Sequence, residues 1–325
     1  MPGYNQENYI GEAIRSILEQ TFTDFEFIII NDGSTDRTEE EILKFKDLRI
    51  VYVKNKTNLK LIESLNIGLR MARGKYIARM DSDDICMNTR LQKQVDLLEH
   101  DPSIGICGSH LEVFGSETGV MRFPLSDEGL RLHLLITSCF GNNVVLFRRE
   151  LVEKHHLYFN KDYIHAEDYD CWTHWLNVTK GATIDECLIK YRAHAGSVSQ
   201  KYRSVQRETM VRIRKEYLLL CFPAIPADRK KNAETFYGVI GLQRLRSARF
   251  FIQENKTHKA FDQENFIKQI NLLWYSDSLE EIRNGRIFTF FTFPLIFAIS
   301  MKDNIKRFVN LFKHYYLTRL KNRQT

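Results

Sequence analysis

Apolar residues alternate between two spacings along the first 100 residues. Within 7–20, Ile10, Ile14 and Ile17 recur at the spacing of one helical face. Residues 25–30 are apolar except for Glu26 and rich in β-branched side chains, which is typical of a strand buried on both faces. The same alternation predicts helices over 36–46, 58–73 and 89–100 and strands over 49–53 and 75–80. This order predicts an α/β fold with a mostly parallel sheet flanked by helices.

The pattern changes in the second part of the chain. Strand-like runs continue to residue 192, and the helices that follow are basic. The predicted strands cover 104–123, 143–147 and 182–192, and the predicted helices cover 201–220 and 229–254. We therefore predict a catalytic domain over 1–200 and a helical, basic C-terminal region over 201–325.

Two acidic clusters come directly after predicted strands. Asp81-Ser82-Asp83-Asp84 follows the strand 75–80, and Asn31-Asp32-Gly33-Ser34-Thr35-Asp36 follows the strand 25–30. Because ligands of such sheets bind beyond the carboxyl ends of the strands, we expect both clusters at one mouth. Carboxylates there can hold Mg²⁺ or Mn²⁺ beside a diphosphate, and Asp32 can accept a hydrogen bond from a nucleobase. The alternative for both clusters is a turn whose acids cap the next helix.

A third acidic cluster, Glu167-Asp168-Tyr169-Asp170, comes just before Cys171 and Trp172. A carboxylate is a natural general base for an acceptor hydroxyl, because it can take the proton as the oxygen attacks. Acids that simply favour the positive end of a helix are the alternative.

The three clusters, in this order, resemble glycosyltransferase family 2, which has the nucleotide-diphospho-sugar transferase (GT-A) fold. Six stretches within the first 200 residues carry the resemblance. They are Pro2-Gly3-Tyr4-Asn5, Ala13 to Phe22, Ile28 to Asp36, Tyr76 to Asp84, Ala166 to Asp170 and Tyr191-Arg192-Ala193-His194. The resemblance implies an inverting, metal-dependent transfer of one sugar from a nucleotide-diphosphate-sugar to an acceptor hydroxyl.

The resemblance also implies which residues bind the donor. Asp32 is expected to bind the base of the nucleotide, and Pro2 and Tyr4 are expected to line the pocket around it. Asp81 is expected to face the ribose, with Arg79 close behind the nucleotide.

The remaining implied roles concern the metal and the acceptor. Asp83 is expected to bind Mg²⁺ or Mn²⁺, and His194 to approach the metal or the diphosphate. An ordinary polar surface histidine is the alternative for His194. Asp168 is expected to be the catalytic base, with Glu167 orienting the acceptor.

The sequence departs from the family pattern at three places. One is Asn31, which stands where the family often has Asp and should matter little if Asp32 binds the base. Family members generally begin with an apolar strand ahead of the P-x-Y-N stretch, and no such strand precedes Pro2 here. We expect a truncated or misassigned start, because without that strand a neighbouring strand has unpaired backbone groups. Gly141 to Val145 stands where many members have a His-Pro pair near the acceptor. The Q-x-x-R-W motif of processive members is not found, which favours a single transfer.

The composition and the cysteines indicate the class of protein and its cellular compartment. The chain is 43% hydrophobic and 27% charged, as ordinary globular proteins are. Residues 1–200 contain 23 Lys and Arg against 30 Asp and Glu, whereas 201–325 contain 24 against 11. None of the six cysteines has the spacing of a metal motif, and no signal peptide is visible. We expect a reducing, cytoplasmic compartment.

The basic C-terminal region also carries an apolar segment. Ile287 to Met301 lies between Arg286 and Lys302 and is shorter than the ~20 residues that span a bilayer. A basic amphipathic stretch follows, which fits peripheral binding to the anionic inner face of the cell membrane. A helical hairpin packed on the catalytic domain, or a dimer interface, is the alternative. The apolar content favours lipid over nucleic acid as the partner.

Together these observations predict a glycosyltransferase for cell-surface polysaccharide or lipopolysaccharide, with a UDP-sugar donor and a glycan or lipid-linked acceptor. One alternative is a degenerate relative that binds nucleotide-sugars without catalysis. Another is a sugar nucleotidyltransferase, which would need a Gly-rich basic loop near the N-terminus to hold a triphosphate.

Overall fold

A computed structural model describes residues 1–194, 202–237 and 242–283, and nine strands and eleven α-helices lie within these ranges. The strands are β1 (Pro2–Gly3), β2 (Phe27–Asn31), β3 (Ile50–Lys54), β4 (Tyr76–Ala78), β5 (Ile85–Cys86), β6 (Ile104–Gly115), β7 (Gly119–Met121), β8 (Leu146–Arg148) and β9 (Lys180–Ala193). The helices are α1 (Ile10–Leu18), α2 (Thr38–Leu43), α3 (Leu61–Met71), α4 (Arg90–His100), α5 (Asp127–His133), α6 (Arg149–His155), α7 (Glu167–Val178), α8 (Arg203–Cys221), α9 (Lys231–Phe236), α10 (Leu242–His258) and α11 (Gln263–Arg283).

The strands form two sheets. β1, β2 and β3 are parallel, with β2 in the centre. The second sheet has the order β4-β8-β6-β9-β5, and β7 pairs with the outer end of β6. Only β6 and β9 are parallel in it, and its other pairs are antiparallel. The α/β class is confirmed, whereas the expectation of a mostly parallel arrangement does not hold in the second sheet, because apolar spacing carries no information on strand direction.

The first sheet ends at a cavity. In the short strand β1, Pro2 lies opposite Ile30. The Met1 carbonyl accepts a hydrogen bond from the Ile30 amide (2.9 Å), and its amino group donates to the Ile28 carbonyl (2.8 Å). A cavity of about 620 Å³ adjoins Met1 between β2 and β4, and apolar side chains of α1, α3 and α4 line it. Among the described strands, β4 pairs only with β8, and β1 pairs with β2 only at Ile30 and Asn31. An edge of β4 and the first residues of β2 therefore border this cavity.

The centre of the second sheet is closed by α7. Trp172 and Trp175 of this helix are almost fully buried and pack on Phe147 of β8, with ring centroids 6.4 and 4.7 Å apart. The helix is therefore fixed by two large aromatic anchors within its first three turns. All six cysteines are free.

The chain divides into two compact units, Met1–Leu220 and Cys221–Thr325. Helix α8 begins after the predicted boundary at residue 200, and as far as Leu220 it belongs to the first unit. The Tyr217 hydroxyl donates to the Arg131 carbonyl (3.0 Å), and the Gln206 amide donates to the His165 carbonyl (2.8 Å). In the second unit, Phe222 packs against Phe251 and Phe266.

No helix within the described ranges is long and apolar enough to cross a membrane. The predicted membrane-binding segment, Ile287 to Met301 with the basic stretch after it, lies outside the described residues.

Candidate active site

The loops that follow β1 and β2 are joined by hydrogen bonds from backbone amides to side-chain oxygens. Asn5 adopts a left-handed conformation (φ 53°), and its side-chain oxygen accepts a hydrogen bond from the Thr35 amide (2.9 Å). Gly33 also has positive φ (71°), and a Cβ atom there would lie 2.7 Å from the Thr57 carbonyl carbon, so only glycine fits. Asp36 accepts hydrogen bonds from the backbone amides of Thr38 and Glu7. For Asp36 the capping alternative is therefore the better explanation.

Asp32 lies in the same loop but has a different environment. It is buried, and its Oδ1 atom accepts hydrogen bonds from the Asn55 side chain (2.7 Å) and the Leu59 amide (2.9 Å). Its own amide donates to the Gly3 carbonyl (2.9 Å), which places Asp32 beside the buried Pro2 and the half-exposed Tyr4. The structure thus brings together the three residues predicted to surround a nucleobase.

The loop that contains Asp81-Ser82-Asp83-Asp84, called the D-x-D loop below, continues from β4 and reaches the end of β1. A Cβ atom on Gly3 would lie 3.3 Å from the Ser82 Cβ, so the end of β1 and the D-x-D loop are in contact. The Asp83 Oδ2 atom lies 3.1 Å from His194 Nε2. Burial raises the pKa of Asp83, and the nearby Asp81 carboxylate raises it further, while His194 opposes both. A bound cation would relieve the same electrostatic cost.

The residues present fit a divalent metal that binds together with a nucleotide-sugar. Within the part of the chain that the structure describes, no three His, Cys, Asp or Glu side chains are arranged as a complete metal cage. Asp83 and His194 offer one carboxylate and one imidazole, so most ligands would come from a diphosphate and water. Mg²⁺ usually binds in this way, through one or two carboxylates plus substrate phosphates.

Glu167 and Asp168 begin helix α7, directly after His165 in its left-handed conformation (φ 65°). Glu167 is buried, whereas Asp168 keeps part of its surface exposed. The positive end of the helix should lower both pKa values, but burial has the larger effect. Burial, with Asp168 beside it, raises the pKa of Glu167 to about 7. Burial raises the pKa of Asp168 to about 6, although a hydrogen bond from the Tyr169 amide lowers this pKa.

Arg79 lies close to both the D-x-D loop and the acids that begin α7. It is buried, its Nη1 atom forms an ion pair with Asp81, and its Nε atom has no hydrogen-bond partner among the described residues. Its charge lowers the pKa of both Glu167 and Asp168, while that of Asp81 raises them. These four side chains therefore interact electrostatically and lie near one another.

Sequence reasoning assigned no role to Asp84 or Asn143. Asp84 is buried and accepts hydrogen bonds from the Arg192 amide (2.8 Å) and the Asn143 side chain. Burial, followed by the charges of Asp81 and Asp83, raises the pKa of Asp84 to about 8. The available signal was the asparagine pair Asn142-Asn143 directly before the apolar residues 144–147.

Comparison with known proteins supports the family that the motifs indicate. The family model for "Glycosyl transferase family 2" matches residues 1–156. An uncharacterized glycosyltransferase of Haemophilus influenzae is 40% identical over 241 residues, 70% of this chain and 74% of that protein. The UDP-Glc:alpha-D-GlcNAc-diphosphoundecaprenol beta-1,3-glucosyltransferase WfaP of Escherichia coli is 32% identical over 64% of this chain and 82% of its own length.

Solved structures agree on the fold. S. aureus TarS 1-349 in complex with UDP-GlcNAc superposes with a TM-score of 0.61 at 18% identity, covering 88% of this chain and 91% of TarS 1-349. Mannosyltransferase PcManGT from Pyrobaculum calidifontis, in complex with GDP-Man and Mn²⁺, gives 0.53 at 17% identity, covering 92% and 84%. Since the Haemophilus relative matches over most of its length and the expected motifs meet in one site, the chain belongs to glycosyl transferase family 2 and is a glycosyltransferase.

Proposed function

We propose that this enzyme transfers one sugar, with inversion, from a UDP-sugar to a hydroxyl of a lipid-linked or free glycan in cell-surface polysaccharide synthesis. The observation that carries the proposal is the placement of Asp81, Arg79, Glu167 and Asp168 in one site. The UDP-Glc donor and the diphosphoundecaprenol-linked acceptor in the name of WfaP support the substrate classes.

The donor lies across the ends of β1, β2 and β4. Both hydrogen bonds to the Asp32 carboxylate use Oδ1, so Oδ2 is the atom that accepts from the base. Pro2 and Tyr4 cover the base, and Asp81 faces the ribose. Arg79 brings a buried positive charge behind the nucleotide, where its unpaired Nε stabilises the anionic donor.

Asp83 and His194 would hold the divalent metal through one oxygen and one nitrogen. A bound Mg²⁺ or Mn²⁺ supplies positive charge for the diphosphate leaving group. The Mn²⁺ in the PcManGT complex supports this assignment for a protein of the same fold.

Asp168 is the general base. It takes the proton from the acceptor oxygen while that oxygen bonds to the anomeric carbon, and the bond from this carbon to the diphosphate oxygen breaks on the opposite face. One displacement of this kind inverts the anomeric configuration. A pKa of about 6 keeps Asp168 mostly ionised at neutral pH while it remains basic enough to take a proton. Glu167, with a pKa of about 7, is partly protonated at that pH and orients the acceptor by hydrogen bonding.

The test uses the full chain with Mn²⁺ and four donors: UDP-Glc, UDP-Gal, UDP-GlcNAc and GDP-Man. Thermal shift measures donor binding with and without EDTA, and transfer is followed on a diphosphate-lipid-linked GlcNAc acceptor. We expect a UDP-sugar to stabilise the protein only with metal, and NMR of the product to show the inverted anomer. Retention of configuration, or a preference for GDP-Man, would overturn the proposal. Metal-dependent binding without transfer to any glycan acceptor would instead support the non-catalytic alternative.

A further inference from the structure

Arg192, near the end of β9, contacts the D-x-D loop with both its backbone and its side chain. Its amide donates to Asp84 Oδ1 (2.8 Å), and its Nε atom donates to the Asp83 carbonyl (2.8 Å). The far end of the guanidinium forms an ion pair with Glu12 of α1. One side chain therefore joins α1, β9 and the loop that carries the predicted metal ligand.

Two aromatic rings hold the guanidinium in place. Its central carbon lies 4.9 Å from the ring centroid of Tyr9 and 4.5 Å from that of Phe114. A planar, delocalised cation stacks on aromatic faces in a way that a lysine ammonium does not reproduce. The Tyr9 ring also lies 5.1 Å from the imidazole of His194. Tyr9 thus supports both Arg192 and the candidate metal ligand.

The spacing along the chain connects these contacts to the metal site. In an extended chain, residues two apart point to the same face, so Arg192 and His194 project toward the same loop. Arg192 is itself fixed opposite Phe114 in the β6–β9 register. The hydrogen bond from Arg192 to the Asp83 carbonyl then sets where Asp83 stands relative to His194, 3.1 Å away.

We propose that Arg192 and Tyr9 are positioning residues that hold Asp83 and His194 in the geometry that binds the divalent cation. The inference rests on the proposed metal role of Asp83 and His194. Groups that orient metal ligands typically contribute ~10–100-fold to metal affinity. Arg192→Lys keeps the charge and loses the planar fork, so we expect it to weaken Mn²⁺ binding about tenfold or more.

The experiment measures Mn²⁺ affinity by calorimetry on the full chain with saturating UDP, beside the melting temperature without metal. Arg122→Lys is the matched control, because Arg122 is an exposed arginine that pairs with Asp185. We expect Arg192→Lys to bind Mn²⁺ about tenfold more weakly with little change in melting temperature, and Arg122→Lys to match the wild type. If Arg192→Lys does not fold, Tyr9→Leu tests the same idea, with Tyr9→Phe as the variant that keeps the ring and restores affinity.

Wild-type Mn²⁺ affinity in both Arg192→Lys and Tyr9→Leu would overturn the positioning role while leaving the metal assignment intact. An equal loss of affinity in Tyr9→Phe and Tyr9→Leu would also overturn it, because the ring would then not be the active feature. Failure of the wild-type protein itself to bind Mn²⁺ with UDP would overturn both this inference and the metal part of the proposed function.

Discussion

The acidic site around Arg79 and the cavity between β2 and β4 are neighbours along β4. They differ in how their polar groups are paired. In the site, Asp32, Asp83 and Asp84 each have a specific donor: Asn55, His194 and Arg192. In the cavity, strand edges and apolar side chains border about 620 Å³. The contrast indicates that side chains from loops and from β9 fix the carboxylates of the site. The cavity instead affects the stability of the strands that border it. Activity and stability should therefore respond to different substitutions.

The largest separation is expected for Asp168→Asn. The amide keeps the size of the side chain and cannot take a proton, so kcat should fall by ~10²–10⁴-fold. The affinity for UDP with Mn²⁺ should stay close to that of the wild type, measured by calorimetry, and the melting temperature should not fall, because burial raises the pKa of Asp168 in the folded protein. Asp162→Asn, at an exposed carboxylate on the loop before α7, serves as the control and should retain activity. Unchanged turnover in Asp168→Asn would remove this residue from the chemistry.

The pH dependence of transfer tests the same residue without a substitution. Asp168 must be ionised to act as a base, and its pKa is raised by burial to about 6. We expect kcat/KM at saturating Mn²⁺ to rise about tenfold per pH unit below that value and to level off above pH ~7. A profile that is flat between pH ~5 and ~8 would mean that a different group takes the proton.

The sequence predicted the loops of the site well and the strand directions and long-range contacts poorly. The loops after β2 and β4, and the acids that begin α7, follow from strand ends and from motifs such as Asp81-Ser82-Asp83-Asp84. Strand direction in the second sheet did not follow, because the apolar runs of β4 and β8 read the same in either orientation. The bond between Asp84 and Arg192 joins residues 108 positions apart, and no local pattern encodes such a contact. Helices α5 and α6 are seven residues each, too short to give a clear period.

Filling the cavity should change stability far more than activity. Met1 lies beside β2 at the cavity wall, where its amino group donates to the Ile28 carbonyl. Burial lowers the pKa of this amino group to about 5. Five alternating Val and Ile residues fused ahead of Met1 would pair with the strand edges, bury apolar surface and replace this amine by an amide. We expect a gain of about 2 kcal/mol and a melting temperature ~4–8 °C higher, by calorimetry. A Gly-Ser extension of equal length is the control, and equal melting temperatures for the two would contradict this use of the cavity.

The smallest expected effect is a stability change within the site itself. In the folded protein, burial raises the pKa of Glu167 to about 7, so the fold binds this proton more tightly than the unfolded chain does. The contribution of Glu167 to stability is therefore complete below its ordinary pKa and is lost as the pH rises through about 7. Glu167→Gln should raise the melting temperature at pH ~8 by a few degrees and change it little at pH ~4. Glu63→Gln is the opposite control, because its hydrogen bond from Arg70 lowers the pKa of Glu63, so this carboxylate stabilises the fold at high pH. If Glu167→Gln lowered the melting temperature at pH ~8, Glu167 would hold the fold together, and the separation between site and scaffold would fail at this residue.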